Sequence, residues 1–160
     1  MNYSYGSKLL RHGFMALLVG LVGGFLFTFS LIGGVSFSPL PVAIEMDIPG
    51  TTKGWRVLHV GMLMNGLMAI AVALAMHDVS LSPRVARRVY VGTAIAVWGN
   101  FSFYFFGMFA PNRGLTAGGN QLGEASVAGV LAFFPAILSA ATLIYVCWIM
   151  FRADPLPEKS

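Results

Sequence analysis

Residues 57–77 read Val-Leu-His-Val-Gly-Met-Leu-Met-Asn-Gly-Leu-Met-Ala-Ile-Ala-Val-Ala-Leu-Ala-Met-His, without one Asp, Glu, Lys or Arg. About 20 apolar residues suffice to carry a helix across the ~30 Å hydrocarbon core of a bilayer. Three more stretches lack those charges: 12–44, 89–112 and 125–151. Strands of such length fall far outside the normal range, and no period-two alternation runs through them. The sequence therefore predicts an all-α integral membrane protein. A single domain over 1–160 carries four transmembrane helices, at about 13–34, 57–76, 89–110 and 126–150, and a polar tail at 152–160. The first stretch is too long for the apolar core of a secretion signal, so it is expected to be retained.

Composition agrees. Of the 160 residues, 10% are charged and 57% hydrophobic, whereas soluble domains are about 25% charged. So few charges cannot coat a soluble surface. The length leaves no room for a separate soluble catalytic module. One cysteine excludes an internal disulfide, a C-x-x-C pair, a C-x-x-C-H haem attachment and a thiolate cluster.

The cations set an orientation. Lys8, Arg11, Arg84, Arg87, Arg88, Arg152 and Lys159 fall on one side of the four spans, and Lys53, Arg56 and Arg113 on the other. The positive-inside rule then predicts both termini in the cytoplasm of a bacterial-type inner membrane. The net charge of +4 is thus assigned to topology and lipid headgroups, not to nucleic acid. Gly20 and Gly24 in the first span have the small-xxx-small spacing that lets helix backbones approach, within one subunit or between subunits.

Polar side chains inside such spans need a partner or a function. His59, Asn65, Trp98, Asn100 and Tyr104 stand out. Asn65 lies about 9 Å deeper than His59, Tyr104 about 9 Å below the outer end of the third span, and Asn100 one turn deeper on the same face. If the second and third helices pack face to face, all four line one pocket in the outer half of the membrane. His59 and Asn65 differ by about 240° of helix rotation, so they flank a broad face. Asn100 is expected to bond Tyr104 one turn away. A lone histidine is either a hydrogen-bonded structural group or a ligand. Zinc would want more ligands than this depth offers, whereas haem needs one proximal histidine and apolar walls. His12 and His77 lie near the opposite face, roughly 20–30 Å away, which disfavours a bis-histidine haem. The readings left open are a haem enzyme, a haem b electron carrier or membrane anchor, and a haem-free scaffold or transporter. Transporters usually carry intramembrane charge, and these spans have none.

Several motifs resemble the styrene oxide isomerase family. They are Gly54-Trp55, His59 and Asn65-Gly66; Trp98-Gly99-Asn100-Phe101-Ser102-Phe103-Tyr104-Phe105-Phe106; and the loop Pro111-Asn112-Arg113-Gly114-Leu115-Thr116 followed by Gly118-Gly119-Asn120-Gln121-Leu122-Gly123. His12-Gly13 also resembles the family's first helix, while Gly119 and Leu122 depart from its loop pattern. The resemblance implies a four-helix membrane protein assembled as a homotrimer with haem b near subunit contacts. It implies conversion of an aryl epoxide such as styrene oxide to an aryl acetaldehyde by Meinwald rearrangement. In that chemistry ferric iron acts as Lewis acid on the epoxide oxygen, and a 1,2-hydride shift follows. Carried onto this sequence, His59 is the axial iron ligand, and Asn65 and Tyr104 bind and orient the epoxide. Arg56 and Arg113, at headgroup level, are candidate partners for the haem propionates.

Overall fold

The computed structural model describes residues 2–156, with side chains from residue 4 onward; Lys159 and the end of the polar tail lie outside them. Four helices dominate: α1 Asn2–Ile32, α2 Thr52–Asp78, α3 Pro83–Gly107 and α4 Val127–Phe151. At about 1.5 Å per residue each is long enough to cross a bilayer core, and each is apolar enough to do so. α1, α2 and α3 start before the predicted spans, whereas α1 ends at Ile32 and α3 at Gly107, short of the predicted 34 and 110. α1 begins among the polar residues before His12, and α2 and α3 each begin several residues before the charge-free stretch. Freedom from charge marks the part that lipid can hold; capping chemistry marks where a helix starts. Thr51, Ser82 and Ser126 are the N-caps of α2, α3 and α4, their hydroxyls accepting from the backbone N–H groups of Gly54, Val85 and Gly129. Pro83 then occupies the first turn of α3, where no N–H is needed.

Two features lie outside the helices. The loop after α1 holds a short antiparallel pair, β1 Gly34–Ser36 with β2 Ala43–Glu45, which the sequence reading did not foresee. The polar tail after α4 is tied down at its start. Ser80 N–H donates to Asp154 O (2.8 Å), and Leu156 N–H to Asp78 O (2.9 Å).

α1 packs along α2 and α4 along α3, while α2 meets α3 and joins the two halves. The α1–α2 contact is close because glycines face it. A Cβ added at Gly13 would lie 2.6 Å from Ile70 Cγ1 and 3.0 Å from Gly66 O. Gly20 faces Leu63 and Gly24 faces His59, so the small-residue pair packs within the chain. The core is narrow: Leu9, Leu58, Met62, Met76, Val89 and Val97 are buried along the helix contacts. Large apolar side chains such as Phe14, Leu18, Phe25, Met64, Leu67, Phe134 and Ile144 point outward. An exposed apolar surface of that extent suits lipid, not water.

Gly13→Val is expected to cost about 1–3 kcal/mol by overpacking, read as a lower unfolding midpoint in detergent. Gly118→Ala, where nothing lies within 4 Å, should change stability by less than ~0.5 kcal/mol. Equal losses in the two variants would contradict the close α1–α2 packing.

Candidate active site

The polar cluster forms where α2 meets α3. Asn65 is buried, and its Nδ2 donates to its own helix at Gly61 O (2.8 Å) and to the Tyr104 hydroxyl (3.3 Å). Asn100 Nδ2 donates to Asn65 Oδ1 (2.9 Å). A backbone carbonyl only accepts, so Gly61 O identifies which end of the Asn65 amide faces it. The remaining directions follow: Asn65 Oδ1 accepts from Asn100, and the Tyr104 oxygen accepts from Asn65. Asn100 therefore bonds Asn65 across the helix contact, not Tyr104 on its own helix. Its reach across to α2 depended on helix rotation that spacing alone does not set. Gly61 supplies the room: an added Cβ would fall on the Tyr104 ring, 2.6 Å from Cζ.

Tyr104 also lines a half-open groove of about 320 Å³ where α2 starts and α3 ends. Its other walls are apolar, from Val57, Phe103, Met108, Leu115 and Leu122, with Lys53 and Arg113 as its cations. That volume sits at the small end of the range for small-molecule sites, about 300–1,000 Å³. Nothing in the sequence had marked Lys53 or Gly61 for this site. Asn65 stands behind Tyr104, and is not among the groove's walls.

The loop that closes the groove is built on Asn112, which is fully buried. Its Nδ2 donates to Thr116 O (2.9 Å) and Gly118 O (2.7 Å), and its Oδ1 accepts from Gly114 N–H (3.0 Å). Asn120 adds a bond to Asn112 O (3.0 Å). Arg113 and Gly114 take left-handed backbone angles, with φ of 59° and 65°, which turn the chain back over the groove.

His59 belongs to a different side of α2. Its Nδ1 lies 2.8 Å from Gly20 O on α1. The carbonyl again only accepts, so Nδ1 carries the hydrogen and a neutral ring keeps its lone pair on Nε2. Gly24 makes this possible, since an added Cβ would lie 2.7 Å from Nδ1. His59 stands about 200° around the helix from Gly61, the residue under Tyr104. The structure thus brings together Asn65, Asn100 and Tyr104 but not His59, contrary to the single pocket expected of all four. Arg56, three residues before His59, is exposed on the His59 side, while Arg113 belongs to the Tyr104 groove.

A second polar chain crosses between α1 and α3. Trp98 Nε1 donates to His12 Nδ1 (2.9 Å), and His12 Nε2 meets the Tyr90 hydroxyl at 3.3 Å. Both ring nitrogens of His12 are therefore engaged. The acceptor that the Trp98 indole required is this histidine, a partner 86 positions away. Among the described residues no group of three or more His, Cys, Asp or Glu could hold a metal ion.

Comparison with known proteins agrees with these features. Residues 5–154 match the family model described as styrene oxide isomerase. The styrene-oxide isomerase of Pseudomonas fluorescens is 33% identical over 138 residues, covering 86% of this chain and 81% of that protein. With the match running from the start of α1 to the end of α4 and taking in both the Tyr104 groove and the His59 face, the chain belongs to the styrene oxide isomerase family.

Proposed function

We propose that this chain is a membrane-embedded isomerase that converts aryl epoxides, styrene oxide among them, to aryl acetaldehydes without net redox change. The observation that carries the reading is the Tyr104 hydroxyl. It accepts from Asn65, and its own hydrogen is left to donate beside an apolar groove. Family membership supports the reaction class. In the reaction the benzylic C–O bond opens, a hydride moves to the adjacent carbon, and the oxygen becomes the aldehyde carbonyl, so every atom is retained. Negative charge grows on that oxygen as the bond opens. A preorganised O–H donor lowers the barrier because its attraction strengthens as the charge develops. The apolar walls at Val57, Phe103, Leu115 and Leu122 offer water no hydrogen-bond partner beside the developing cation, which water would otherwise trap as a diol. Asn65 acts through Tyr104, since both hydrogens of its amide are used inside the protein.

The residues fit a haem b group that His59 would hold through its free ring nitrogen. A ligating histidine usually gives its second N–H to a carbonyl or carboxylate, which fixes the tautomer, and His59 does so toward Gly20. Gly24 leaves the ring its space. Haem b, when bound, supplies a Lewis-acidic ferric iron suited to an epoxide oxygen. Arg56 on the His59 side and Arg113 on the Tyr104 side are the cations that would meet its propionates. Because His59 points to one side of α2 and Tyr104 packs from α3 against another, we infer that a complete site draws His59 from one copy and Tyr104 from the next. Contacts of that head-to-tail kind close into rings, and a homotrimer is the assembly we propose. The excess of cations at the end bearing the termini supports cytoplasmic termini in a bacterial inner membrane.

Purified protein should turn styrene oxide into phenylacetaldehyde with no added oxidant or reductant; a diol, or no product from haem-loaded protein, would contradict the reading. Tyr104→Phe should lower kcat by about 10²-fold, the size expected for removing one donor at a developing oxyanion, with haem content unchanged. Loss of haem in that variant would make Tyr104 structural instead. His59→Ala should abolish the haem Soret band while the helical circular dichroism persists; a retained band would assign the iron to another ligand.

A further inference from the structure

We propose that Asn100 is a positioning residue for the isomerisation, holding the Tyr104 hydroxyl as a donor toward substrate; this rests on the function proposed above. Tyr104 can spend its one hydrogen either on substrate or on a neighbouring acceptor inside the protein. The nearest candidate acceptor is Asn65, whose amide presents a nitrogen to Tyr104 at 3.3 Å. Two groups keep that amide from turning over. Gly61 O takes one of its hydrogens at 2.8 Å, and Asn100 occupies its oxygen at 2.9 Å.

The two restraints are unequal. Gly61 O is also a helix carbonyl, so losing the side-chain bond still leaves it the backbone N–H of its own helix. Asn65 Oδ1 has no such substitute, since Asn65 is buried and Asn100 is the one donor to that oxygen among the described residues. Removing Asn100 would leave a buried carbonyl oxygen without a donor, an arrangement that costs more than a bond is worth. The hydroxyl of Tyr104 is the donor within reach. Turning the amide would trade its Gly61 bond for one in which Oδ1 accepts from Tyr104, taking the very hydrogen that the epoxide oxygen needs. The ring itself would barely move, because it lies flush on the α2 backbone at Gly61. Asn100 thus controls the direction of one hydrogen bond rather than the placement of a side chain.

The inference assigns different consequences to different variants. Asn100→Leu keeps the shape and removes the donor. Its kcat should fall about tenfold or more, as for loss of a preorganised oxyanion donor, with KM little changed because groove and ring stay in place. Asn100→Gln retains an amide donor and should recover part of that loss. The direct readout is the tyrosine ring doublet in ultraviolet resonance Raman spectra, isolated by subtracting the spectrum of Tyr104→Phe. In substrate-free parent protein the Tyr104 signal should report a hydroxyl that accepts a hydrogen bond. In Asn100→Leu it should move to a hydroxyl that donates strongly. A parent signal already in the strong-donor state would overturn the proposal without any Asn100 variant having to fold. So would an unchanged signal and kcat in Asn100→Leu. If the parent protein instead failed to isomerise epoxides while the signal still moved, the function would fail but Asn100's control of Tyr104 would stand.

Discussion

A polar side chain among apolar helices must be given a hydrogen-bond partner, and this requirement organises the protein. Among the described residues, no buried side-chain nitrogen or oxygen lacks one. Thr28, Thr93 and Thr142 return their hydroxyls to carbonyls four residues earlier, which costs the helix little and asks nothing of its neighbours. The others reach across helix contacts. His12 meets Trp98 and Tyr90 between α1 and α3, Asn65 meets Asn100 and Tyr104 between α2 and α3, and His59 meets Gly20 between α1 and α2. Each contact between these helices therefore carries a polar tie as well as packed apolar surface. What is left after the ties are made is chemically specific. The Tyr104 hydrogen and the His59 Nε2 lone pair are among the valences that these bonds leave unspent.

Much of this was legible before any coordinates. Runs without charge locate four spans because hydrocarbon excludes charge more strictly than any soluble core does. They do not locate the helix ends, since Lys8, Arg11 and Arg84 are as acceptable in a helix leaving the membrane as in a loop. Thr51, Ser82 and Ser126 carry that second signal. Asn65, Asn100 and Tyr104 were recognisable as a group from depth alone. Their bonding order was not, because it follows from how α2 is rotated against α3, and that rotation is set by the glycines and small residues at the contact. The same rotation turns His59 away from the group. The β1–β2 pair and the anchored tail rest on loop hydrogen bonds that leave no periodic trace in the sequence.

The separation of His59 from Tyr104 is the reason for proposing a site shared between copies of the chain. His59 and Arg56 lie on one side of α2, while the Tyr104 groove on another side has a hydroxyl donor and the cations Lys53 and Arg113. Neighbouring copies related by rotation would bring one edge to the other. They would also cover apolar surface on the outward face of α2, where Val60, Met64 and Leu67 are exposed.

Co-expression of His59→Ala and Tyr104→Phe chains in one membrane tests this most directly. If neighbouring copies share each site, mixed assemblies contain intact pairs of His59 and Tyr104. Random mixing in a cyclic assembly then restores about a quarter of the sites, giving isomerase activity well above that of either variant alone. Activity no higher than the average of the two variants would contradict a shared site and place both residues' work within a single chain.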